Sequence, residues 1–271
     1  MDCRVLGQLA VRSGTVIGCL TAPKPRKVLA LLLVRANLVV PIETLSRELW
    51  SDDPPASAHT TLQTYVLQVR RMLAKTLGMA SEAVARDILV TTADGYVLRV
   101  KPGELDLHEY ERLAAEGRAA LAEHDDVRGS RLLGEALKQW HDAALVDVRL
   151  GPVLSVEVGH LEESRLATCQ LRIDAELRLN RHHTVLCELS SLAAQHPLHE
   201  DLQAQYMVAL YRAGRRTDAL NAFHRLRTTL LEDVGLEPSR RIHSIQRAIL
   251  TADPDLDNFA LSMRYSPNTT A

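Results

Sequence analysis

The sequence predicts an α+β winged helix-turn-helix domain, followed by an all-α domain of tetratricopeptide-like helix pairs. In the first part of the chain, short β-branched runs precede three helical segments and a hairpin. From Leu107 onward strand signals disappear, and helices punctuated by Gly and Pro follow one another. Charge is also uneven, because residues 1–105 hold 13 Lys and Arg against 9 Asp and Glu, whereas residues 106–271 hold 19 against 25. A polyanion is therefore expected to bind the first domain.

Length and composition fit a soluble protein of two domains. The chain has 271 residues, of which 46% are hydrophobic and 24% charged, and its low aromatic fraction of 4% favours helical cores of Leu and Ala. No signal peptide or membrane-length apolar run occurs, so we expect a cytoplasmic protein with no membrane contact. The cysteines share no short spacing, which predicts neither a zinc site nor a disulfide framework. They are Cys3, Cys19, Cys169 and Cys187.

The first elements are strands and a buried helix. Three short runs, broken at Gly7 and Ser13-Gly14, predict an antiparallel meander. They cover residues 3–6, 8–12 and 15–20. The run 26–36 is apolar on most sides and predicts a buried helix. After a brief extended piece at Val39-Val40, Pro41 suits the first turn of a helix over residues 42–50.

The stretch 57–77 predicts an amphipathic helix. Its apolar residues Leu62, Val66, Val69 and Leu73 recur in steps of four, three and four, which places them on one stripe. The other face offers hydroxyls, amides and cations and no acid, and these groups suit phosphates and base edges. Its members are Thr60, Thr61, Gln63, Thr64, Gln68, Arg71 and Lys75, with Arg70 at the flank. The alternative is an ordinary amphipathic helix whose outer face lacks acids.

A hairpin closes the first domain. The linker 78–86 leads to a strand at 88–92, a turn at Ala93-Asp94-Gly95 and a strand at 96–100. Strands, three helices and a hairpin, with a turn between the second and third helices, form the plan of a winged helix-turn-helix. In that plan the third helix enters the major groove and the hairpin wing lies along the backbone. We therefore expect DNA contacts from Thr92 and Tyr96 on the wing.

The second part of the chain is predicted to be entirely helical. Small residues on the later helices let neighbours approach closely, which is typical of tetratricopeptide-type packing. They are Ala204, Ala209, Ala213, Ala219 and Ala222. The predicted helices cover about 106–123, 125–140, 154–179, 184–195, 200–212, 217–234 and 239–251. The predicted domains are 1–105 and 106–251, and we expect a flexible tail at 252–271.

Both halves together resemble the Streptomyces antibiotic regulatory protein family of transcriptional activators. The matching text in the first half is LGQLAV at 6–11, KPRKVLALLLVRANLVVPIETLSRELW at 24–50, SDDPPASAHTTLQTYVLQVRRML at 51–73 and DGYVLRV at 94–100. In the second half it is DLHEYERLAAEGRAAL at 106–121, HPLHEDLQAQYMVALYRAGRRTDALNAFHRLR at 196–227 and LLEDVGLEPSRRIHSIQRAIL at 230–250. The resemblance covers about residues 3–251 in collinear order.

This resemblance implies an OmpR-type winged helix followed by a bacterial transcriptional activation domain. It implies an activator of secondary-metabolite (antibiotic) gene clusters, whose third helix reads tandem direct repeats in double-stranded DNA near the promoter −35 region. Direct repeats call for head-to-tail pairing of protomers on DNA. Relatives often carry Arg at the position of Gln68, so the base preference of this chain is expected to differ.

The resemblance also implies that the loop between the second and third helices contacts RNA polymerase holoenzyme. The loop residues so assigned are Trp50, Ser51, Asp52, Asp53, Pro54 and Pro55. An acidic, Pro-restricted loop suits a basic protein surface better than phosphates. The alternatives are a soluble turn in which Asp53 or Ser57 caps the next helix, and core packing for Trp50.

No catalytic or cofactor motif stands out. Walker, GxGxxG, GxSxG and HExxH patterns are absent from the sequence, so we expect no enzyme activity and no cofactor. The close histidine pairs, His182-His183 and His196 with His199, lack completing Cys or carboxylate ligands, so no metal site is predicted. A second function stays open, in which the helical repeats bind a peptide or regulatory partner and the winged helix is structural.

Overall fold

The structure is a computed structural model that describes residues 1–253 and residue 256. The tail predicted for residues 252–271 lies almost wholly outside the described residues. Packing divides the chain into two compact units. The first contains residues 1–115 and 134–168, and the second contains residues 116–133 and the described residues from 169 on. The domain limits expected at residues 105 and 106 stay a prediction, because these units group residues by packing alone.

The first unit begins with the predicted antiparallel meander. Its strands are β1 (Asp2–Arg4), β2 (Ala10–Ser13) and β3 (Val16–Gly18), in the order β1-β2-β3. Cys3 lies opposite Val11 in the register, and both side chains are buried. The three predicted runs therefore form one small sheet, as expected.

Three helices follow the sheet: α1 (Pro23–Val34), α2 (Ile42–Trp50) and α3 (Ala58–Leu77). Helix α1 starts three residues earlier than predicted, because Pro23 and Pro25 occupy its first turn, where no N–H donor is needed. Residues 28–33 of α1 are all at most 3% exposed, which confirms a buried helix. The turn between α2 and α3 completes the helix-turn-helix.

A second sheet carries the wing. Its strands are β4 (Val40–Pro41), β5 (Leu89–Thr91) and β6 (Gly95–Leu98), in the order β4-β6-β5. The brief extended piece at Val40 thus pairs with the hairpin, opposite Tyr96. A Cβ on Gly95 would lie 2.1 Å from the carbonyl oxygen of Val40, so only glycine fits this close crossing.

The predicted linker at 78–86 is wrong in part, since it contains helix α4 (Ser81–Asp87). Gly78, with φ of +65°, ends α3 in the left-handed conformation and turns the chain into α4. Val84 of α4 is fully buried and α4 packs beside β5. The sequence shows no periodic signal for α4, because a helix of seven residues with one buried residue is too short to show periodicity.

The remaining described chain is helical, which confirms the predicted all-α part. Its helices are α5 (Asp106–Ala122), α6 (Asp126–Leu137), α7 (Pro152–Arg178), α8 (His182–Gln195), α9 (Glu200–Arg212), α10 (Arg216–Val234) and α11 (Arg240–Thr251). In the second unit α9 packs against α8, α10 and α11. Ala204, Ala209, Ala219 and Ala222 are buried at these contacts, whereas Ala213 is half-buried.

Within the described residues of the structure, no helix combines the length and the apolar character that crossing a bilayer requires.

Candidate nucleic-acid interface

Helix α3 separates a buried apolar stripe from an exposed polar face. Leu62, Val66, Val69 and Leu73 are each at most 1% exposed, as their spacing predicts. On the opposite side the exposed residues are Thr60, Gln63, Thr64, Arg71 and Lys75, while Thr61, Gln68 and Arg70 are half-buried. Because α3 contains no Asp or Glu, this exposed face, called here the α3 face, presents only hydroxyls, amides, cations, the imidazole of His59 and one leucine.

The buried side of α3 is fixed by the first sheet. A Cβ on Gly18 would lie 2.4 Å from Sδ of Met72 and 2.7 Å from Oγ1 of Thr76, so β3 approaches α3 closely at this glycine. The Thr76 hydroxyl donates a hydrogen bond of 2.8 Å to the Met72 carbonyl and needs no other partner. The sheet and α1 therefore hold α3 with its polar face outward.

Some polar side chains on the α3 face already make hydrogen bonds within the protein, and others do not. The Thr64 hydroxyl donates to the Thr60 carbonyl at 3.0 Å, and Gln63 Nε2 lies 3.1 Å from His59 Nε2. Arg71 and Lys75 make no side-chain hydrogen bond or ion pair with any described residue. These two cations are therefore available to phosphates or to base edges.

Arg70 lies at the flank of the α3 face and connects α3 to the wing. Its guanidinium donates to the Leu89 carbonyl from Nε at 3.0 Å and from Nη2 at 2.7 Å, and to Thr91 Oγ1 at 2.8 Å. Burial lowers the pKa of Arg70, while the nearby Tyr96 acts in the opposite direction. Arg70 was predicted to contact DNA, whereas the structure uses most of its donors to hold β5 against α3.

The wing residues Thr92 and Tyr96 are less accessible than predicted. Tyr96 is only 5% exposed, and on the central strand β6 it lies between Val40 and Thr91 in the register. Burial raises the pKa of Tyr96. Tyr96 thus presents little of its side chain to solvent, and its DNA contact stays a prediction. Thr92 is half-buried, and its Oγ1 accepts a hydrogen bond of 3.2 Å from the Gly95 N–H, which closes the wing turn.

Two residues near this surface were missed by sequence reasoning. Arg99, directly after β6, is exposed. Its place between the apolar Leu98 and Val100 was the available signal, because side chains alternate between the two faces of a strand. Leu67 is 42% exposed in the middle of the α3 face. Its phase on the helix, opposite the buried Val69, was the available signal.

The loop between α2 and α3 is exposed and lightly bonded. Ser51, Asp52, Asp53, Pro54 and Pro55 are all exposed, and Ser51 has a positive φ of 57°. The backbone is held by Asp53 N–H to the Trp50 carbonyl at 3.3 Å and Ala58 N–H to the Pro55 carbonyl at 2.8 Å. In the described part of the chain neither loop carboxylate has a hydrogen-bond or ion-pair partner.

The capping alternative for this loop finds no support in the geometry. Ser57 occupies the N-cap position of α3 but makes no capping hydrogen bond, and its hydroxyl lies 3.5 Å from that of Thr61. Asp53 does not cap the helix either, so the loop acids are not explained by helix initiation.

Trp50 is half-buried and packs where α2 meets the loop. Its ring stacks on Tyr65 of α3 with centroids 6.4 Å apart and planes inclined by 26°. Lys24 Nζ lies over the Trp50 ring, 5.0 Å from its centroid. The side chain therefore contributes to packing and keeps part of its surface accessible.

Among the described residues, no group of three or more His, Cys, Asp or Glu is arranged to hold a metal ion. The rings of His182 and His183 lie against each other with centroids 4.1 Å apart, and His182 is buried. Burial raises the pKa of the Cys3 thiol to about 12, which leaves this cysteine unreactive at neutral pH.

Comparisons with known proteins agree with the two-part organisation. Residues 19–98 match the family described as transcriptional regulatory protein, C terminal. Residues 105–250 match the family described as bacterial transcriptional activator domain, which alone covers more than half of the chain. Both matches belong to transcriptional regulation and neither to an enzyme.

Individual relatives extend these matches over nearly the whole chain. Regulatory protein DnrI of Streptomyces peucetius is 47% identical over 258 residues, which cover 95% of this chain and 94% of DnrI. Regulatory protein AfsR of Streptomyces griseus is 33% identical over 252 residues. The aligned region covers 93% of this chain but only 25% of AfsR. In both cases the similarity crosses the boundary between the two matched families.

A solved structure shows the same fold. EmbR of Mycobacterium tuberculosis, in complex with a low-affinity phosphopeptide, superposes with a TM-score of 0.85 at 29% identity over 94% of this chain and 66% of that chain. An OmpR-type winged helix, a bacterial transcriptional activator domain and the similarity to DnrI together lead to one conclusion. The chain belongs to the Streptomyces antibiotic regulatory protein family of transcriptional regulators.

Proposed function

We propose that this chain is a sequence-specific DNA-binding activator, which binds tandem direct repeats near the promoter −35 region and recruits RNA polymerase holoenzyme. The observation that carries the proposal is the α3 face, with Arg71 and Lys75 free and no acidic residue along the helix. A helix of 20 residues is about 30 Å long, which is ample to lie in a major groove.

The parts of the interface have different roles in this proposal. Arg71 and Lys75 neutralise phosphates or bind base edges, and Thr60, Gln63, Thr64 and Gln68 set register and read bases. Arg70 acts indirectly, because it joins the wing to α3 and so fixes the distance between groove and backbone contacts. Arg99 supplies an exposed cation at the base of the wing.

In this proposal, the loop of residues 50–55 contacts RNA polymerase and recruits it. Asp52 and Asp53 are exposed and unpaired among the described residues, and they are poorly suited to phosphates. Pro54 and Pro55 restrict the backbone, which lowers the entropy lost when a partner orders the loop. A basic surface of the polymerase is the partner that this chemistry fits.

The regulated genes in this proposal form an antibiotic biosynthetic cluster. This part rests on membership of the family and on the similarity to DnrI, and the α3 face alone does not specify it. Direct repeats relate neighbouring sites by translation, so two protomers bind head to tail through a heterologous contact.

Footprinting combined with transcription tests this proposal. The wild-type chain should protect tandem repeats upstream of a promoter in the cluster and stimulate transcription by purified polymerase. Deleting one repeat should weaken protection of the other by much more than twofold, because loading is cooperative. Equal occupancy of the remaining repeat would contradict head-to-tail pairing, and no protection at all would contradict the proposed function.

A second candidate function is a protein-interaction module. It is favoured by the packed helices α8 to α11 and by exposed apolar side chains beside the end of α10, where Leu231 is 41%, Val234 51% and Leu236 61% exposed. On this alternative the winged helix would be structural, and the chain would bind a peptide without preferring any DNA sequence.

A further inference from the structure

Leu67 is an exposed leucine at the centre of the α3 face. At about 100° per residue, Leu67 shares one side of the helix with three polar residues. Thr60 lies seven residues before it, Thr64 three residues before it and Arg71 four residues after it. Its side chain is 42% exposed, whereas Leu62 and Leu73 on the opposite side are at most 1% exposed. The only apolar side chain of this face is thus surrounded by hydroxyls, an amide and a cation.

Single exposed leucines are ordinary on protein surfaces, so exposure alone decides nothing. What distinguishes Leu67 is its neighbourhood, because every other exposed side chain on this stretch of α3 can bond a base or a phosphate. Leu67 lies outside the packing stripe of α3, which runs along the other side of the helix. A binding partner of the α3 face therefore explains the position of Leu67 best.

The major groove displays one apolar group, which is the C5 methyl of thymine. We infer that Leu67 is a specificity-determining residue that contacts a thymine methyl group at the centre of each repeat. This inference rests on the proposed function, because it requires α3 to lie in the major groove. It goes further by assigning thymine to the position that Leu67 faces.

Uracil scanning tests the contact atom by atom. The wild-type chain first selects a preferred duplex from a random-sequence library, and each thymine of that duplex is then replaced in turn by uracil. Uracil keeps the pairing edge and O4 and removes only the methyl group. Wild-type affinity should fall about fourfold at one thymine per repeat, which is the effect expected for one methyl-sized group returned to water.

Variants assign that loss to Leu67. In Leu67→Ala the affinity for the thymine duplex should fall by a similar factor, and the uracil substitution should then cost nothing more. Leu67→Met keeps an apolar side chain and should keep the sensitivity to uracil. Leu250→Ala, which shortens a leucine that is 52% exposed on α11, is the matched control and should behave as the wild type.

The outcomes separate this inference from the proposed function. If the wild type selects a preferred duplex, but wild type and Leu67→Ala lose the same affinity at each uracil substitution, the inference is overturned. The proposed function is then unaffected. A wild-type profile that is flat at every thymine would also overturn the inference. If the wild type selects no preferred duplex, the proposed function itself fails and the inference with it.

Discussion

The guanidinium of Arg70 on α3 donates two hydrogen bonds to the backbone carbonyl of Leu89, at 3.0 and 2.7 Å, and so ties α3 to the wing. A third bond reaches Thr91 Oγ1 at 2.8 Å. The same side chain had been expected to contact phosphate. Its geometry favours a positioning role, since three of its N–H donors are used within the protein.

Arg70→Lys should therefore weaken DNA binding although the charge is kept. A lysine cannot make the forked contact with Leu89, so the wing should lose about 1–2 kcal/mol of stabilisation and become more mobile. Hydrogen exchange at the amides of β5 should increase, and DNA affinity should fall with the salt dependence unchanged. Arg71→Lys is the control, and it should leave exchange in β5 as in the wild type. Unchanged exchange in Arg70→Lys would show that the contact does not hold the wing.

The α3 face shows what the sequence could predict. A stripe of Leu62, Val66, Val69 and Leu73 is enough to orient a helix, because burial of apolar area dominates its placement. The partner of Arg70 could not be predicted, since a flanking Arg gives no sign of which carbonyl it will meet across a wing. The burial of Tyr96 could not be predicted either, because strand alternation defines two faces without saying which one is buried.

Glu48 is a second residue that the sequence could not place. A glutamate in a polar helix suggests exposure, yet Glu48 is 1% exposed. Its carboxylate accepts hydrogen bonds from the N–H groups of Gly151 at 2.6 Å, Val153 at 3.0 Å and Leu154 at 2.9 Å, at the beginning of α7. These partners lie more than a hundred residues away in sequence, so no local pattern could reveal them.

Glu48→Gln should lower the free energy of unfolding of the chain by about 1–3 kcal/mol, because an amide nitrogen cannot accept from the α7 backbone and leaves a buried donor unsatisfied. Denaturant unfolding followed by circular dichroism measures this. Glu43→Gln, which changes an exposed glutamate on the same helix, should have little effect. Equal stabilities for the two variants would contradict the role of Glu48 as the anchor of α7.

Asp174 should make stability depend on pH. Burial raises the pKa of Asp174 from 3.8 to about 6, against the lowering effect of Arg178. A raised folded-state pKa means that the native state binds the proton more tightly, so stability is highest below about pH 4 for this group and is lost as pH rises through about 6. The loss amounts to about 3 kcal/mol at most.

Asp174→Asn should remove this pH dependence between pH 4 and about 7. Denaturant unfolding at several pH values compares it with the wild type and with Asp233→Asn, which changes an exposed acid on α10. Arg178 keeps its two-oxygen contact with Asp126 in the variant, so the ion pair is not lost altogether. A wild-type pH profile in Asp174→Asn would refute the assignment.

The double variant Asp52→Ala, Asp53→Ala should separate activation from DNA binding. Both acids are exposed and bond no described residue, so their loss should leave the fold intact and DNA affinity the same or slightly higher. Transcription by purified polymerase should lose most of its stimulation. Glu232→Ala, Asp233→Ala removes the same charge from exposed positions on α10 and is the control. If affinity and transcription fall together, or neither changes, the loop is only a turn.

The measurement that tests the central claim most directly is a fluorescence-anisotropy titration with the selected duplex over a range of salt concentrations. The account predicts sequence-preferring binding that weakens with salt, and a log–log slope that becomes smaller in magnitude by about 1.8 in Arg71→Ala, Lys75→Ala if each cation neutralises one phosphate. Arg118→Ala, Lys138→Ala removes two exposed cations elsewhere and should keep the wild-type slope. Binding by the Arg71, Lys75 variant with unchanged affinity and slope would contradict the assignment of the α3 face to DNA.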